Sequence, residues 1–188
     1  MSRSNRERTD ATRTALLDAA RELFVERGYA ETATPDIVAA ANVTRGALYH
    51  HFTDKKALFA AVVEREAAEV AEEIEAKSAD AASAREALLQ GASAYFDAMT
   101  APGRTWLLLR QAPALLAEDP TESSLKAGLS HLLAGSKLLP LLDPLTVLVS
   151  AAFERAAIAI DCGGDRANYE AAIAALLDGL SEADHLLR

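Results

Sequence analysis

Apolar residues recur along this chain with helical spacing. Leu16, Ala20, Leu23 and Phe24 form one stripe, which predicts a first helix over about Asp10 to Arg27, with Gly28-Tyr29 as a stop followed by a hydrophobic latch. Thr34 to Lys56 then predicts two short helices and the start of another. Thr34 is positioned to cap a helix beginning at Pro35, which ends near Ala41 because Asn42 suits the left-handed position past a helix end. Thr44 caps a second, Arg45 to Phe52, whose Leu48 and Phe52 point inward with Ile37 and Val43 while Arg45, Tyr49 and His50 face out. Helices this short bury too little to fold alone and need the first helix behind them.

Downstream the helical period persists. Phe59, Val63, Ala67, Val70 and Ile74 mark a helix from about Asp54 to Lys77, with Glu64, Glu66, Glu69, Glu72, Glu73 and Glu75 on the remaining face. Lys77 to Ser83 is the best domain boundary. Ser83 and Glu86 make a capping box for a helix carrying Leu88, Ala92, Tyr95, Phe96 and Met99, ended by Ala101-Pro102-Gly103. Pro113 should kink or break the apolar run Thr105 to Leu116 between Gln111 and Leu115. Asp119-Pro120 begins a helix with Leu125, Leu129, Leu132 and Leu133 on its buried side. Asp143-Pro144 begins another, with Leu145, Leu148, Ala152, Ala156 and Ile160 on one face and Gly163-Gly164 at its end. Asp165 caps the last, striped by Tyr169, Ile173, Leu176, Leu177 and Leu180.

Sparse glycine and proline with few aromatic residues agree with an all-α protein. No window approaches the ~20 apolar residues of a membrane span, so a soluble cytoplasmic protein is expected. Cys162 is the single cysteine and has no partner for a disulfide or zinc site. The net charge of -9 is uneven: residues 1–56 carry 9 Lys/Arg and 8 Asp/Glu, whereas residues 57–188 carry 10 and 20. The acid therefore lies away from the Thr34 to Lys56 stretch, an asymmetry compatible with a nucleic-acid partner. His50 and His51 do not read as metal ligands, because adjacent side chains on a helix diverge. No carboxylate pair, metal cluster or nucleophile with a base has catalytic spacing, so no catalytic residue and no cofactor are expected.

Gly46-Ala47-Leu48-Tyr49-His50-His51-Phe52, preceded by Ala41-Asn42-Val43-Thr44 and followed by Lys55, with Leu23, Phe24, Gly28 and Tyr29 upstream, resembles the DNA-binding segment of the tetracycline-repressor (TetR) family of transcriptional regulators. The resemblance implies an N-terminal three-helix DNA-binding head with a helix-turn-helix at about 33–52, followed by a C-terminal helical regulatory and dimerisation domain. In that scheme residues 1–8 form a flexible arm or solvated tail, 9–70 the head and 71–188 the effector-binding and dimerisation domain. It implies that Thr44, Tyr49 and Lys55 hold the DNA backbone, and that Arg45, Gly46 and Ala47 form the tip of the recognition helix. Physically, Arg45 carries a fork suited to guanine, Gly46 and Ala47 permit close approach, and Thr34 offers a hydroxyl at a helix start; His50 is exposed beside them. The chain departs from the family pattern at Asn42, where glycine is usual, and at Thr34 and Pro35; Pro35 weakens any readout from the second helix of the head.

The resemblance further implies a small-molecule effector, largely apolar, and a homodimer through about 144–162 and 166–180. Alanines at 151, 152, 156, 157, 171, 172, 174 and 175 leave those helices small on more than one side, which suits a core and a partner together. Tyr95, Phe96, Met99, Trp106, Leu109 and Phe153 either line a cavity or form plain core. Arg110, in the same apolar run, either orients an acidic effector or pairs with a surface acid. The expected function is a homodimeric repressor released from a palindromic operator on double-stranded DNA. The alternative is a helical binding or scaffold protein on the same fold without specific DNA recognition.

Overall fold

The structure is a computed structural model and describes residues 5–116 and 122–182. These form α1 (Asn5–Glu31), α2 (Thr34–Ala40), α3 (Arg45–His51), α4 (Lys55–Ser78), α5 (Ala84–Met99), α6 (Arg104–Trp106), a π-helical turn (Leu107–Gln111), α7 (Ala112–Leu115), α8 (Glu122–Leu132), a 3-10 turn (Leu139–Leu141), α9 (Leu142–Asp161) and α10 (Arg166–Glu182). No strand occurs among the described residues. The first helix begins at Asn5, before the expected Asp10, so residues 5–8 are helical and not an arm. Residues 1–4 of the expected arm and the Asp119-Pro120 helix start lie outside the described residues. The chain divides into two compact units, Met1–Glu66 with Trp106–Glu118, and Ala67–Thr105 with Asp119–Arg188. Lys77 and Ser78 end α4, and residues 79–83 link it to α5 within the second unit.

The first unit is built on α1. Leu16, Leu23 and Phe24 meet Ile37, Leu48, Phe52, Leu58 and Phe59 in one buried cluster, to which Leu107 and Ala112 also belong. Phe24, Tyr29 and Phe59 form a ring cluster with centroids 5.1–5.8 Å apart, Phe59 meeting the other two edge to face. Glu66, expected on the acidic outer face of α4, is instead 2 % exposed and accepts from Arg21 Nε at 2.6 Å. The burial of a carboxylate there is sustained by that guanidinium.

Gly28 sits in α1 at φ 79°, ψ 164°, a conformation that breaks the helix ladder and that side chains with a Cβ rarely adopt. The buried amide of Gln111 repairs the break: its Nε2 donates to the Phe24 carbonyl at 3.0 Å, and its Oε1 accepts from the Tyr29 N–H at 2.7 Å. Gln111 reaches α1 from the π-helical turn. Pro113 lacks an N–H and crowds the carbonyl four residues earlier; widening the preceding turn, with Ala112 N–H bonded to the Leu107 carbonyl, accommodates it. The helix therefore continues through Pro113 to Leu115 and does not break at the expected place. Gln111→Leu keeps the volume but leaves a buried donor and acceptor unpaired. It should lower unfolding free energy by about 1–3 kcal/mol, read as a lower urea midpoint at unchanged m-value.

The second unit packs α5 against α8, α9 and α10. Ser83 caps α5 by accepting from Glu86 N–H at 3.1 Å, and the Glu86 carboxylate accepts from Ala82 N–H at 3.0 Å. Tyr95, Phe96 and Phe153 form a ring cluster with centroids 5.6–6.0 Å apart. Arg104, 5 % exposed, donates to the Ala98 carbonyl and to Glu69. Asp97 receives hydrogen bonds from Lys77 and Arg166, in that order of weight, and these hold its carboxyl below the usual carboxylate range. On α9, Thr146, Val149, Phe153, Ala156 and Ala157 are buried, while Leu148 is 66 % exposed. On α10, Ile173 and Leu177 are buried and Leu176 is 54 % exposed.

Candidate functional site

α2 and α3 form a tight two-helix unit because a backbone motif closes the first and a side chain opens the second. Asn42, at φ 52°, takes the left-handed position; its N–H bonds to the Ala39 carbonyl at 3.1 Å and that of Val43 to the Val38 carbonyl at 3.2 Å. Thr44 Oγ1 then accepts from Ala47 N–H at 3.2 Å and starts α3. Leu48 and Phe52 anchor the inner side of α3, and Arg13 on α1 lies over the Phe52 ring at 4.9 Å. The outer side presents Arg45, Gly46, Tyr49 and His50 to solvent, with Ala47 half-buried. The Arg45 guanidinium lies 5.5 Å from the Tyr49 ring centroid. His51 is half-buried, and burial, then the neighbouring His50 and Arg13 charges, push its imidazole below the usual value.

Thr34 and Lys55 are used differently from expectation. The cap of α2 is Ala33, and no side chain accepts there; Thr34 is the first helical residue, followed by Pro35 and by Asp36, which pairs with Arg27. A missing N–H and a carboxylate make this helix start a poor phosphate cradle. Lys55 Nζ donates to the Tyr29 and Thr32 carbonyls at 2.8 and 2.9 Å, approaches that of Ala30 at 3.5 Å, and lies 4.3 Å from the Tyr29 centroid. The ammonium is thus held by carbonyls at and just past the end of α1. Lys55→Met should therefore cost about 1–2 kcal/mol of stability in a urea melt while leaving the salt slope of nucleic-acid binding unchanged, whereas a phosphate contact would lower that slope by about one.

The second unit holds an apolar cavity of about 310 Å3 between α4, α5, α8 and α9. Of the residues expected to line a pocket, Tyr95 and Phe153 do so; Phe96 and Met99 are buried core beside it. Trp106, Leu109 and Arg110 belong to the first unit, where Trp106 is 44 % exposed with the Arg110 guanidinium 5.9 Å from its ring. The cavity instead gains Ile74, Ser78, Leu88, Gly91 and Gly128. Gly128 packs closely on Leu88: a Cβ there would stand 2.7 Å from Leu88 Cδ2, so that side chain would have to shift. Sequence reasoning missed Gln111 as well; its one signal was an amide inside an apolar run.

A three-helix head whose third helix is fixed inward by two apolar residues and outwardly polar defines a helix-turn-helix protein with an attached helical domain. Residues 16–62 match the model of the bacterial regulatory proteins of the tetR family. A TetR-family transcriptional regulator from Pectobacterium atrosepticum, known by crystal structure, is 34 % identical, with 94 % of this chain and 95 % of that one covered at a TM-score of 0.66. A regulator from Marinobacter aquaeolei shares the fold at a TM-score of 0.71 and 19 % identity, over 92 % and 97 % of the two chains. The HTH-type transcriptional regulator AcrR of Shigella flexneri is 42 % identical over 64 residues, 34 % of this chain and 30 % of that protein. The matched stretch thus spans under a third of that curated relative. The chain belongs to the TetR family of transcriptional regulators. No helix among the described residues is long and apolar enough to cross a membrane.

Proposed function

We propose that this protein is a homodimeric repressor that binds a palindromic DNA operator through α3 and releases it when a small, largely apolar molecule occupies the cavity of the second unit. The observation that carries this reading is the division of α3: Leu48 and Phe52 fix it in the core while Arg45, Gly46, Tyr49 and His50 are exposed together. Arg45 reads a base edge, its fork matching the two acceptors of guanine. The hydroxyl of Thr44, which accepts from Ala47, retains its own proton for a phosphate, and the Tyr49 phenol adds a second such donor. Gly46 and Ala47 keep the helix close to the groove floor.

The same reading assigns the head to about residues 9–70 and effector binding and dimerisation to the remainder. Two observations support dimerisation through α9 and α10: exposed Val147, Leu148 and Leu176, and a groove lined by Ala152, Ala156, Ala159 and Ala172. Two-fold pairing sets two recognition helices about 34–36 Å apart, which requires a palindrome. α4 contributes residues to both units, so effector occupancy and head orientation share one helix.

Retention of genomic fragments, including the DNA upstream of its own gene, across a salt series tests the reading. Selective retention with a steep salt slope supports it. Equal, weak binding to all fragments favours a scaffold on the same fold.

A further inference from the structure

The polar face of α3 does not stop at the end of the helix. The Arg45 guanidinium lies over the Tyr49 ring, the rings of His50 and His51 stand 5.4 Å apart, that of His51 is 6.2 Å from Phe52, and Arg13 of α1 covers the Phe52 ring at 4.9 Å. One run of side chains thus leads from the tip of α3 across its last turn onto α1. Arg13 and His50 are exposed and His51 is half-buried. Arg21, Arg27 and Arg65 each bond a carboxylate and Lys55 bonds carbonyls, whereas no acid or carbonyl among the described residues takes a hydrogen bond from Arg13, His50 or His51. The Phe52 ring holds the Arg13 guanidinium in place and leaves its N–H groups open to a ligand.

The charge of this corner depends on its imidazoles. Burial, then the neighbouring His50 and Arg13, disfavour the charged form of His51, and Asp10 on α1 is the acid that favours it. With both imidazoles neutral, Arg13 and Asp10 cancel; each proton taken up leaves the corner one charge more positive. A negative group placed there offsets the repulsion among Arg13, His50 and His51 and gives their donors an acceptor. DNA entered by α3 offers such a group: Arg13 stands beside the recognition helix, not on it, where the wall of the groove is the sugar-phosphate backbone. We infer that Arg13, His50 and His51 form a phosphodiester-binding site where α1 meets the end of α3, one that charges by taking up protons as the operator binds. This rests on the reading of α3 as the recognition helix.

The test is fluorescence anisotropy of the full chain on its most strongly retained genomic fragment, over a salt series at fixed pH and over a pH series at fixed salt. Affinity should rise about tenfold or more as the pH falls from about 8 to about 6, the range in which imidazoles charge. His50→Gln and His51→Gln should each reduce that rise, whereas His131→Gln on α8 should leave it intact. Arg13→Gln should weaken cognate and scrambled duplexes alike and lower the salt slope by about one per head, and Arg13→Lys should restore it. Circular dichroism melts check folding; because the variants alter different helices, the histidine arm decides if Arg13→Gln misfolds, and the arginine arm decides in the reverse case. A salt slope unchanged in folded Arg13→Gln, or a pH rise that is absent or is unchanged in both histidine variants, overturns the inference. If one fragment is bound selectively with an affinity independent of pH, the phosphate site falls and the recognition reading stands. Equal, weak binding to every fragment throughout removes both.

Discussion

Leu176→Arg should convert the protein to a monomer and lower its affinity for a palindromic operator by about 10²–10⁴-fold, the gain that linking two weak heads provides. Leu176 is 54 % exposed on α10, so the change removes nothing from the core and each chain should remain folded. The loss falls on the interface. A two-fold contact repeats the substitution on both subunits, and each leucine withdrawn forfeits about 1.5–3 kcal/mol of apolar burial. The new guanidinium also enters a groove that already holds Arg155, so like charges are brought together where solvent must be excluded. Sedimentation equilibrium reads the mass, and fluorescence anisotropy on an operator duplex reads the affinity. A variant that stays dimeric and binds DNA as before would move the interface off α9 and α10. In the proposed dimer the leverage is large, because a chain with net charge -9 has little nonspecific attraction to DNA and affinity then depends on two heads held at one spacing.

Arg45→Ala should cost about 1–3 kcal/mol in each half-site and relax the preference at one base pair there, without loss of thermal stability. Arg45 is exposed and its contact within the chain is the Tyr49 ring, 5.5 Å from the guanidinium, so its removal leaves Leu48 and Phe52 undisturbed. Tyr49→Phe is the matched control: it keeps the ring and removes the phenol, and should weaken all operators alike. Measured against a panel of single-base operator variants, the two substitutions should give different profiles. Identical profiles on cognate and scrambled DNA would show that Arg45 contacts phosphate only.

The head was largely legible in the sequence because its signals are local. Asn42 in a left-handed position, Thr44 three residues before the N–H it caps, and Leu48 with Phe52 one turn apart are all set by residue type and near neighbours. Thr34 misled because caps depend on where the chain enters the helix, and Ala33, not Thr34, has the extended backbone. On α9 the sequence left the core side open. Leu148 and Val149 are both apolar, and period alone cannot tell a core side from a partner side when a helix has apolar residues on two faces.

What the sequence by itself determined is therefore the succession of the main helices, the capping of α3 and α5, and the exposed residues of α3, since each follows from interactions within a few positions. Only the tertiary structure decided the partners of buried polar groups. Lys55 is drawn to the carbonyls of Tyr29 and Thr32, Glu66 to Arg21, and Gln111 to the break in α1 at Gly28, across separations of 23 to 87 residues. The physical reason is that a buried donor or acceptor must be satisfied by whatever folding brings near it, and sequence shows that such a group exists without showing what it will meet. The same holds for the cavity, whose lining residues lie on α4, α5, α8 and α9 and meet only through their packing.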